Sequence, residues 1–524
     1  MPSTKSHQLI VAYPSWAHTR SLIGLTCHMQ QHNPGLHITL LIPAKRTKAT
    51  KVEFEQYPPL DDPSRRVVLH YGKDEQGEGG MWNPRGGFRD ECMAQLEPLT
   101  EALAKREGIT DPITGFIVHP HDIPYTALVT DVVLGGFARG IQESIQRNKA
   151  QPNKPVVLAF SPHNSATVYH YSVGLNNDHG VDVLGRYKQI FEESKGDKQK
   201  QAKLTEELIT HNSDLVKIPG LWPFYMYESI PVAKDSPADL VPRIYTMGTH
   251  APQWFDGMII GWPKVFGADL EKGFEAGVFG SKNKFAIYQV GYSLPPSVVD
   301  EWSDEGVQEA CKTYLHHSPG HSVIYISFGS ALFPPTLEQL RVLLDVLEEL
   351  QCRYIIVEGN GPDEIKKTLR DRVGKGKDKG LLVPWAPQRV VLAHPSTGLF
   401  LSHGGSNSAM EAILFRVPMI QWPTGFDQPY VANELDKMGV ARELIQIRGG
   451  GNVGRKIARD GTVVQGTDEA LRKELHDAFH DLHHADYIVK IKKRIKTVCD
   501  EMRKDVEDEE GGSYAAVKQL AFLA

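Results

Sequence analysis

Cysteine is scarce in this chain: five residues in 524, at positions 27, 92, 311, 352 and 499. They are odd in number and scattered, with no C-x-x-C spacing, which excludes a disulfide framework and a structural zinc site and points to a reducing compartment. Long apolar runs are missing too. No stretch approaches the roughly 18 uninterrupted apolar residues of a spanning helix. The opening MPSTKSHQLIVAYP is too polar, and its apolar part too short, for a secretory signal, so a cytoplasmic protein is expected. Charge of one sign is also absent: 58 basic against 64 acidic residues leave a net charge of −6. Nothing in that balance favours nucleic acid or an anionic membrane surface as a partner. The basic run KIKKRIK (490–496) sits among acidic neighbours and reads as a solvated helix face. Internal repeats are not found, and GKGKDKG (374–380) lacks the spacing of a phosphate-binding P-loop.

What is present describes a folded, multidomain α/β protein. Hydrophobic residues make up 41% and charged residues 23% of the chain, and the length suggests two to four domains. Short β-branched runs recur: HQLIVAYP (7–14), LHITLLIP (36–43), RRVVLHY (65–71), YTALVTD (125–131) and PVVLAFS (155–161). Helical patterns lie between them, at Thr19–His32, Glu91–Arg106 and Ala138–Arg147. Such alternation implies β-α-β units and a parallel sheet. The stretch 163–283 is less regular, with one charged helical piece (Arg186–His211) and an aromatic, proline-rich segment, IPGLWPFYMYESIP (218–231). A second alternating series begins near 321, after a connection that opens with GYSLPPS. Two doubly wound halves are therefore expected.

Chemistry-bearing residues cluster at the ends of these runs. His18, in YPSWAHTRSL, directly follows the first strand, at the carboxyl edge where open α/β sheets bind ligands. Imidazole is poised to take a proton near neutral pH, although a histidine at a helix start can also be hydrogen-bonded and inert. Asp131 ends another strand and either caps the following helix or fixes a histidine's tautomer. In the second half, SFGS puts Gly329 and Ser330 past a strand, a turn or an approach to phosphate. SHGGSNSAMEAI (402–413) contains Ser408 and Glu411 in S-x-x-E spacing, which predicts a capping box starting the helix at Ser408. The small residues before it make the same helix start an anion site. Asp427–Gln428–Pro429 has proline where a helix begins.

Read together, WAPQRVVLAHPSTGLFLSHGGSNSAMEAILFRVPMIQWPTGFDQ (385–428) resembles the signature box of the family-1 UDP-glycosyltransferases. The elements W-A-P-Q, L-x-H, G-x-F, H-x-G, N-S, E, V-P, P and D-Q all fall in register across 44 residues. SVIYISFGS before it and GGSYAAVKQL (511–520) after it are also similar to the family. The resemblance implies a GT-B fold, two Rossmann-like doubly wound parallel-sheet domains facing across a cleft. Expected boundaries are 1–290 for an acceptor-binding domain, 291–320 for a linker, 321–495 for a UDP-sugar-binding domain and 496–524 for a C-terminal helix packing back on the first domain.

It also implies roles. Trp385 stacks on uracil, while Ala386 and Gln388 contact base and ribose. Glu411 bonds the ribose hydroxyls. His403, Gly405, Asn407, Ser408 and Ser330 hold the diphosphate, and Asp427 and Gln428 the sugar. His18 stands where the family has its base and Asp131 where it has its acid. Gly404 and Ser406 depart from the cysteine and tryptophan of the plant box; animal and microbial members also carry small residues at the second place. The family's Gln428 is associated with glucose. The expected activity is inverting transfer from UDP-glucose to a hydroxyl of a small hydrophobic acceptor (a phenol, flavonoid or sterol-like aglycone), with neither metal nor further cofactor, by a cytoplasmic monomer. Trp16, Trp82, Phe88, Trp222, Phe224 and Tyr225 are the aromatic candidates for the acceptor wall, expected in loops of the first half. Two rival readings are a zinc site on His476, His480 and His484 and a non-catalytic UDP-sugar binder or partner subunit.

Overall fold

A computed structural model describes residues 5–72, 88–148, 151–172, 183–210, 212–231, 250–276, 285–292, 294–295, 305–329, 333, 335–373, 379–480 and 485–523. Side chains of the two ends facing 73–87 and 481–484 (88–93 and 485–488) are not described. Trp82, Ser330 and His484 lie outside the described residues, as does the side chain of Phe88.

The first sheet is built from β1 (Ser6–Val11), β2 (Leu36–Pro43), β3 (Arg66–Tyr71), β4 (Tyr125–Asp131), β5 (Val156–Ser161), β6 (Gly257–Ile260) and β7 (Ala286–Gln289). Its spatial order is β7-β6-β5-β4-β1-β2-β3, and every pairing is parallel. The second sheet comprises β8 (Val323–Ser327), β9 (Arg353–Val357), β10 (Gly380–Val383), β11 (Thr397–Ser402), β12 (Met419–Gln421) and β13 (Ala441–Glu443). Its order is β10-β9-β8-β11-β12-β13, again all parallel. In each case the chain builds outward from its first strand, then returns to the other side of that strand. The order reverses between β1 and β4 in one sheet and between β8 and β11 in the other. Such a reversal opens a crevice at the carboxyl ends of the two strands. The expectation of two doubly wound parallel sheets holds.

Both sheets are buried on both faces, which is why their strands read as near-continuous apolar runs. Leu9, Ile10 and Val11 in β1 and Tyr325 and Ile326 in β8 are essentially inaccessible. Each such aliphatic side chain contributes about 1.5–3 kcal/mol by leaving water. In the first sheet's core, Leu22, Ile23 and Leu25 of the helix Trp16–His32 meet Ala516, Val517 and Leu520 of the helix Gly512–Ala521. The C-terminal helix is also tied by side-chain amides: Gln8 donates to the Leu520 carbonyl and Asn33 to that of Ala521, both at 2.7 Å.

The chain divides into two compact units: Met1–Val168 with Thr246–Ser297 and Arg503–Ala524, and Tyr169–Tyr245 with Val298–Met502. The aromatic, proline-rich segment packs into the second unit, although it precedes β6 in sequence. Arg448 donates to the Glu228 carbonyl at 2.9 Å and pairs with Glu443 at 2.5 Å, both ends buried. Tyr227 donates to the Lys456 carbonyl at 2.5 Å, and Asn452 to that of Ile230 at 3.1 Å.

The structure corrects two local expectations. The single charged helix over 186–211 is two helices, Val183–Ser194 and Lys198–Thr210. Lys195 and Gly196 between them take positive φ of 49° and 86°, and Asp197 caps the second by accepting from the Gln199 and Lys200 amides. The stretch 163–283 also holds β6, and β7 follows it; both are four-residue strands.

Candidate functional site

In the first unit the crevice between β1 and β4 holds an imidazole–carboxylate pair. β1 ends at Val11, a short turn follows, and His18 is the third residue of the helix Trp16–His32. Asp131 is the last residue of β4. His18 Nδ1 lies 2.6 Å from Asp131 Oδ2, with the histidine side chain 15% and the aspartate 0% exposed. The other carboxylate oxygen accepts from the Val133 amide at 3.0 Å, capping the turn after the strand. Both roles read from the sequence are therefore present at once: Asp131 is a cap and a histidine's partner. A carboxylate on Nδ1–H leaves Nε2 as the basic nitrogen. The Tyr13 and His163 rings each lie 5.7 Å from that of His18.

In the second unit the crevice lies between β8 and β11. His403 follows β11, and two glycines make its place. A Cβ on Gly329 or on Gly405 would stand 2.6 Å from His403 Nε2, well inside contact distance. Burial lowers the His403 pKa to about 4, against the opposing pull of Asp427 and the Ser327 carbonyl. The ring is neutral at pH 7, a hydrogen-bonding group and no cation.

The helix that follows is Ser406–Leu414, with Gly405 as its N-cap residue and no side-chain cap from that residue. The capping box expected at Ser408 is not formed. The helix starts two residues earlier, and both members of the expected box turn elsewhere. Gln388 Nε2 donates to Glu411 Oε2 at 2.6 Å and lies 3.2 Å from Ser408 Oγ. Tyr325 in turn donates to Gln388 Oε1 at 3.3 Å. Asp427 supplies the cap from outside the helix, accepting from the Ser406 amide at 3.0 Å and its hydroxyl at 2.6 Å. Gln428 Oε1 accepts from the Thr424 amide and hydroxyl, at 2.9 and 2.7 Å. The helix Gln428–Lys437 begins with Pro429 in its first turn, as expected.

The structure thus gathers Gln388, Ser408 and Glu411 into one polar cluster, and His403, Gly405, Ser406 and Asp427 into another. Trp385 and Asn407 are half-buried and Ala386 is buried. The described acceptor-wall aromatics divide between the two units. Trp16 stands in the first unit, partly buried against its core. Trp222 and Phe224 belong to the second unit, contrary to the expectation that they line loops of the first. Phe224 is buried, 5.7 Å from Tyr430 and 6.1 Å from His170, so it is packing. Asn433 holds the Trp222 backbone at both ends, Lys437 lies 5.6 Å from its ring, and Tyr225 stacks on Tyr227. The His476 and His480 rings stack 5.9 Å apart. Among the described residues no group of three or more His, Cys, Asp or Glu could hold a metal ion, and no helix is long and apolar enough to cross a membrane. Cys27, Cys311, Cys352 and Cys499 are buried free thiols.

Sequence reasoning missed Ser161 and His163, which end and follow β5. The signal that marked His18 and Asp131, a position at a strand's carboxyl end, applies to them equally. It also missed Tyr325, whose hydroxyl reaches Gln388 from a strand that reads as plain core.

Comparison with known proteins gives a family match in the second half of the chain and a fold match along its length. Residues 303–448 match the family described as UDP-glucoronosyl and UDP-glucosyl transferase. The UDP-glycosyltransferase eriJ of Hericium erinaceus is 38% identical over 162 residues, 30% of this chain and 31% of that protein. A mogroside IIIx synthase of Siraitia grosvenorii is 34% identical over 190 residues, 33% of this chain and 40% of the synthase. The chain thus spans less than half the length of these relatives. Solved structures match over nearly the full length. UGT71G1 of Medicago truncatula, complexed with UDP-glucose, has a TM-score of 0.65 at 18% identity, covering 100% of this chain and 99% of that one. Phytolacca americana UGT2, complexed with UDP-2fluoro-glucose and pterostilbene, has a TM-score of 0.63 at 20% identity, covering 99% of each chain. That likeness shows the GT-B fold.

Proposed function

We propose, for a chain whose residues 303–448 match the family described as UDP-glucoronosyl and UDP-glucosyl transferase, inverting, metal-independent transfer of glucose from UDP-glucose to a hydroxyl of a small hydrophobic acceptor. The observation that carries this reading is the 2.6 Å bond between His18 and the buried Asp131. The pair stands where the strand order of its sheet reverses, the place at which open parallel sheets bind their ligands.

The steps balance without a further reactant. His18 Nε2 removes the proton from the acceptor hydroxyl, and Asp131 stabilises the imidazolium that forms. The acceptor oxygen bonds to the anomeric carbon as the bond from that carbon to the UDP oxygen breaks, and an α-linked donor yields a β-glycoside. The electron pair of the broken bond leaves on the UDP phosphate. Amides and polar side chains around His403, Gly405, Asn407 and Ser408 stabilise that charge. Trp385 offers a flat face to the base, Ala386 and Gln388 contact base and ribose, and Glu411, bonded by Gln388, offers a carboxylate to the ribose hydroxyls. Asp427 and Gln428, each already oriented by neighbours, contact the sugar. Mogroside IIIx synthase and flavonoid 3-O-glucosyltransferase among the relatives are consistent with a hydroxylated apolar aglycone. The cysteine pattern supports a cytosolic setting, and a monomer is the simplest assembly.

The test is incubation with UDP-glucose, UDP-galactose, UDP-xylose and UDP-glucuronate against a panel of phenols, flavonoids and sterols, read by mass shift. A gain of one hexose from UDP-glucose is expected. UDP-sugar binding with no transfer to any acceptor would replace this reading by that of a silent binder.

A further inference from the structure

The first unit carries a second imidazole at the same sheet edge, and the transfer reaction as derived does not use it. β5 pairs with β4 along its length and ends at Ser161, opposite Ile260 of β6. His163 follows two residues later. Its ring centre lies 5.7 Å from that of His18, with the two planes at 84°. Ser161, buried at 2% exposure, places Oγ 3.0 Å from His163 Nδ1. The partner of one imidazole nitrogen sets the state of the other: when the serine donates to Nδ1, the ring proton sits on Nε2. His163 is therefore a half-buried histidine, oriented by a buried hydroxyl and edge-to-face with the proposed base.

Resting on the transfer reading, we propose that His163 is a specificity-determining residue. It binds a second acceptor oxygen beside the one that His18 deprotonates, so the preferred acceptors carry oxygens on adjacent carbons, as catechols and α-hydroxycarbonyl compounds do. With Nδ1 of His18 engaged by Asp131 and Nδ1 of His163 by Ser161, the nitrogens assigned to the two acceptor oxygens are the Nε2 atoms of rings whose centres are 5.7 Å apart. Oxygens on adjacent carbons lie about one hydrogen-bond length apart, roughly 2.8 Å, and each can take one nitrogen. A site built to hydrogen-bond a substrate oxygen discriminates against the analogue lacking it, because the protein group is then left unpaired.

The test uses the full-length enzyme with UDP-glucose and two acceptors on one skeleton, 4-methylcatechol and 4-methylphenol. The ratio of their kcat/KM values is read in wild type, His163→Leu and His163→Gln. Wild type should favour the catechol at least about tenfold. His163→Leu should lower that ratio about tenfold, chiefly through KM for the catechol. His163→Gln, whose amide can still donate, should restore it to within about threefold. A ratio in His163→Leu within twofold of wild type overturns the proposal, as does a glutamine variant no better than leucine. If the leucine variant fails to fold, His163→Asn decides, since its shorter amide must lower the ratio as far. Transfer by wild type to neither acceptor, nor to any other in the panel, is a different failure. It overturns the transfer reading itself, and the role of His163 with it.

Discussion

Each sheet sets a histidine just past a strand at the point where its strand order reverses, yet the two rings are in opposite situations. His18 has a carboxylate at 2.6 Å and keeps 15% of its side chain in solvent. His403, also only half-buried, is wedged against Gly329 and Gly405, and desolvation takes its pKa down to about 4. The same side chain at similar places in two similar folds thus has a carboxylate on one nitrogen in one unit and is neutral at pH 7 in the other. Fold supplies the location, and the immediate neighbours decide the chemistry. For His18 that neighbour is a charge; for His403 it is the absence of two Cβ atoms.

The sharpest way to break the comparison is to remove the base. His18→Ala should abolish transfer, with a loss of the order of 10²–10⁴ in kcat, while UDP affinity by calorimetry stays within about twofold. Retained transfer in that variant would end the assigned mechanism. Asp131→Asn refines the point, because its amide oxygen can still cap the Val133 N–H while the negative charge is gone. It should fall by about 10²–10⁴ in kcat with stability changed by less than about 1 kcal/mol. A variant that unfolds in place of slowing would show the cap to be its main role.

The His18–Asp131 pair was legible as two separate strand-edge residues; that they meet is a consequence of β1 and β4 being neighbours, which requires the sheet order. The capping box was a misreading for an instructive reason. Ser408 and Glu411 do satisfy the local pattern, but Gln388, 20 and 23 residues away in sequence, claims both side chains, and Asp427, 21 residues from Ser406, caps the helix in their stead. Local rules lose where a polar partner arrives from another element. β6 and β7 escaped notice because four residues give too little periodicity against their surroundings. Chain position alone puts Trp222 and Phe224 in the first half, whereas their segment is tied to the second unit, as by the Arg448 bond to the Glu228 carbonyl.

The second site can be broken without touching any functional side chain. Gly405 has φ −67° and ψ 142°, a conformation open to every residue, so Gly405→Ala adds a methyl and no backbone strain. That methyl would stand 2.6 Å from His403 Nε2, and either the ring or the helix start must move. A loss of about tenfold in UDP affinity is expected, larger than any change in KM for the acceptor. Gly329→Ala meets the same ring but adds the cost of a positive φ of 80°, about 1–2 kcal/mol. Stability should therefore drop more in the second variant than in the first. Unchanged UDP binding in Gly405→Ala would mean that His403 is not part of the diphosphate site.

The smallest effect concerns the neutrality of His403. Its folded pKa, about 4, lies below the ordinary value of 6.5. Between those limits the unfolded chain binds the proton and the folded chain does not, so stability from this residue is whole above pH 6.5 and is lost as pH falls toward 4. His403→Gln keeps a polar group and removes the titration. From pH 7 to pH 5 the wild type should lose roughly 2 kcal/mol more unfolding free energy than this variant, read from thermal melts at the two values. Since Gln does not titrate, every other histidine cancels in the difference. Parallel losses in the two proteins would mean that the ring is protonated in the fold, and the contrast with His18 would then be one of position alone.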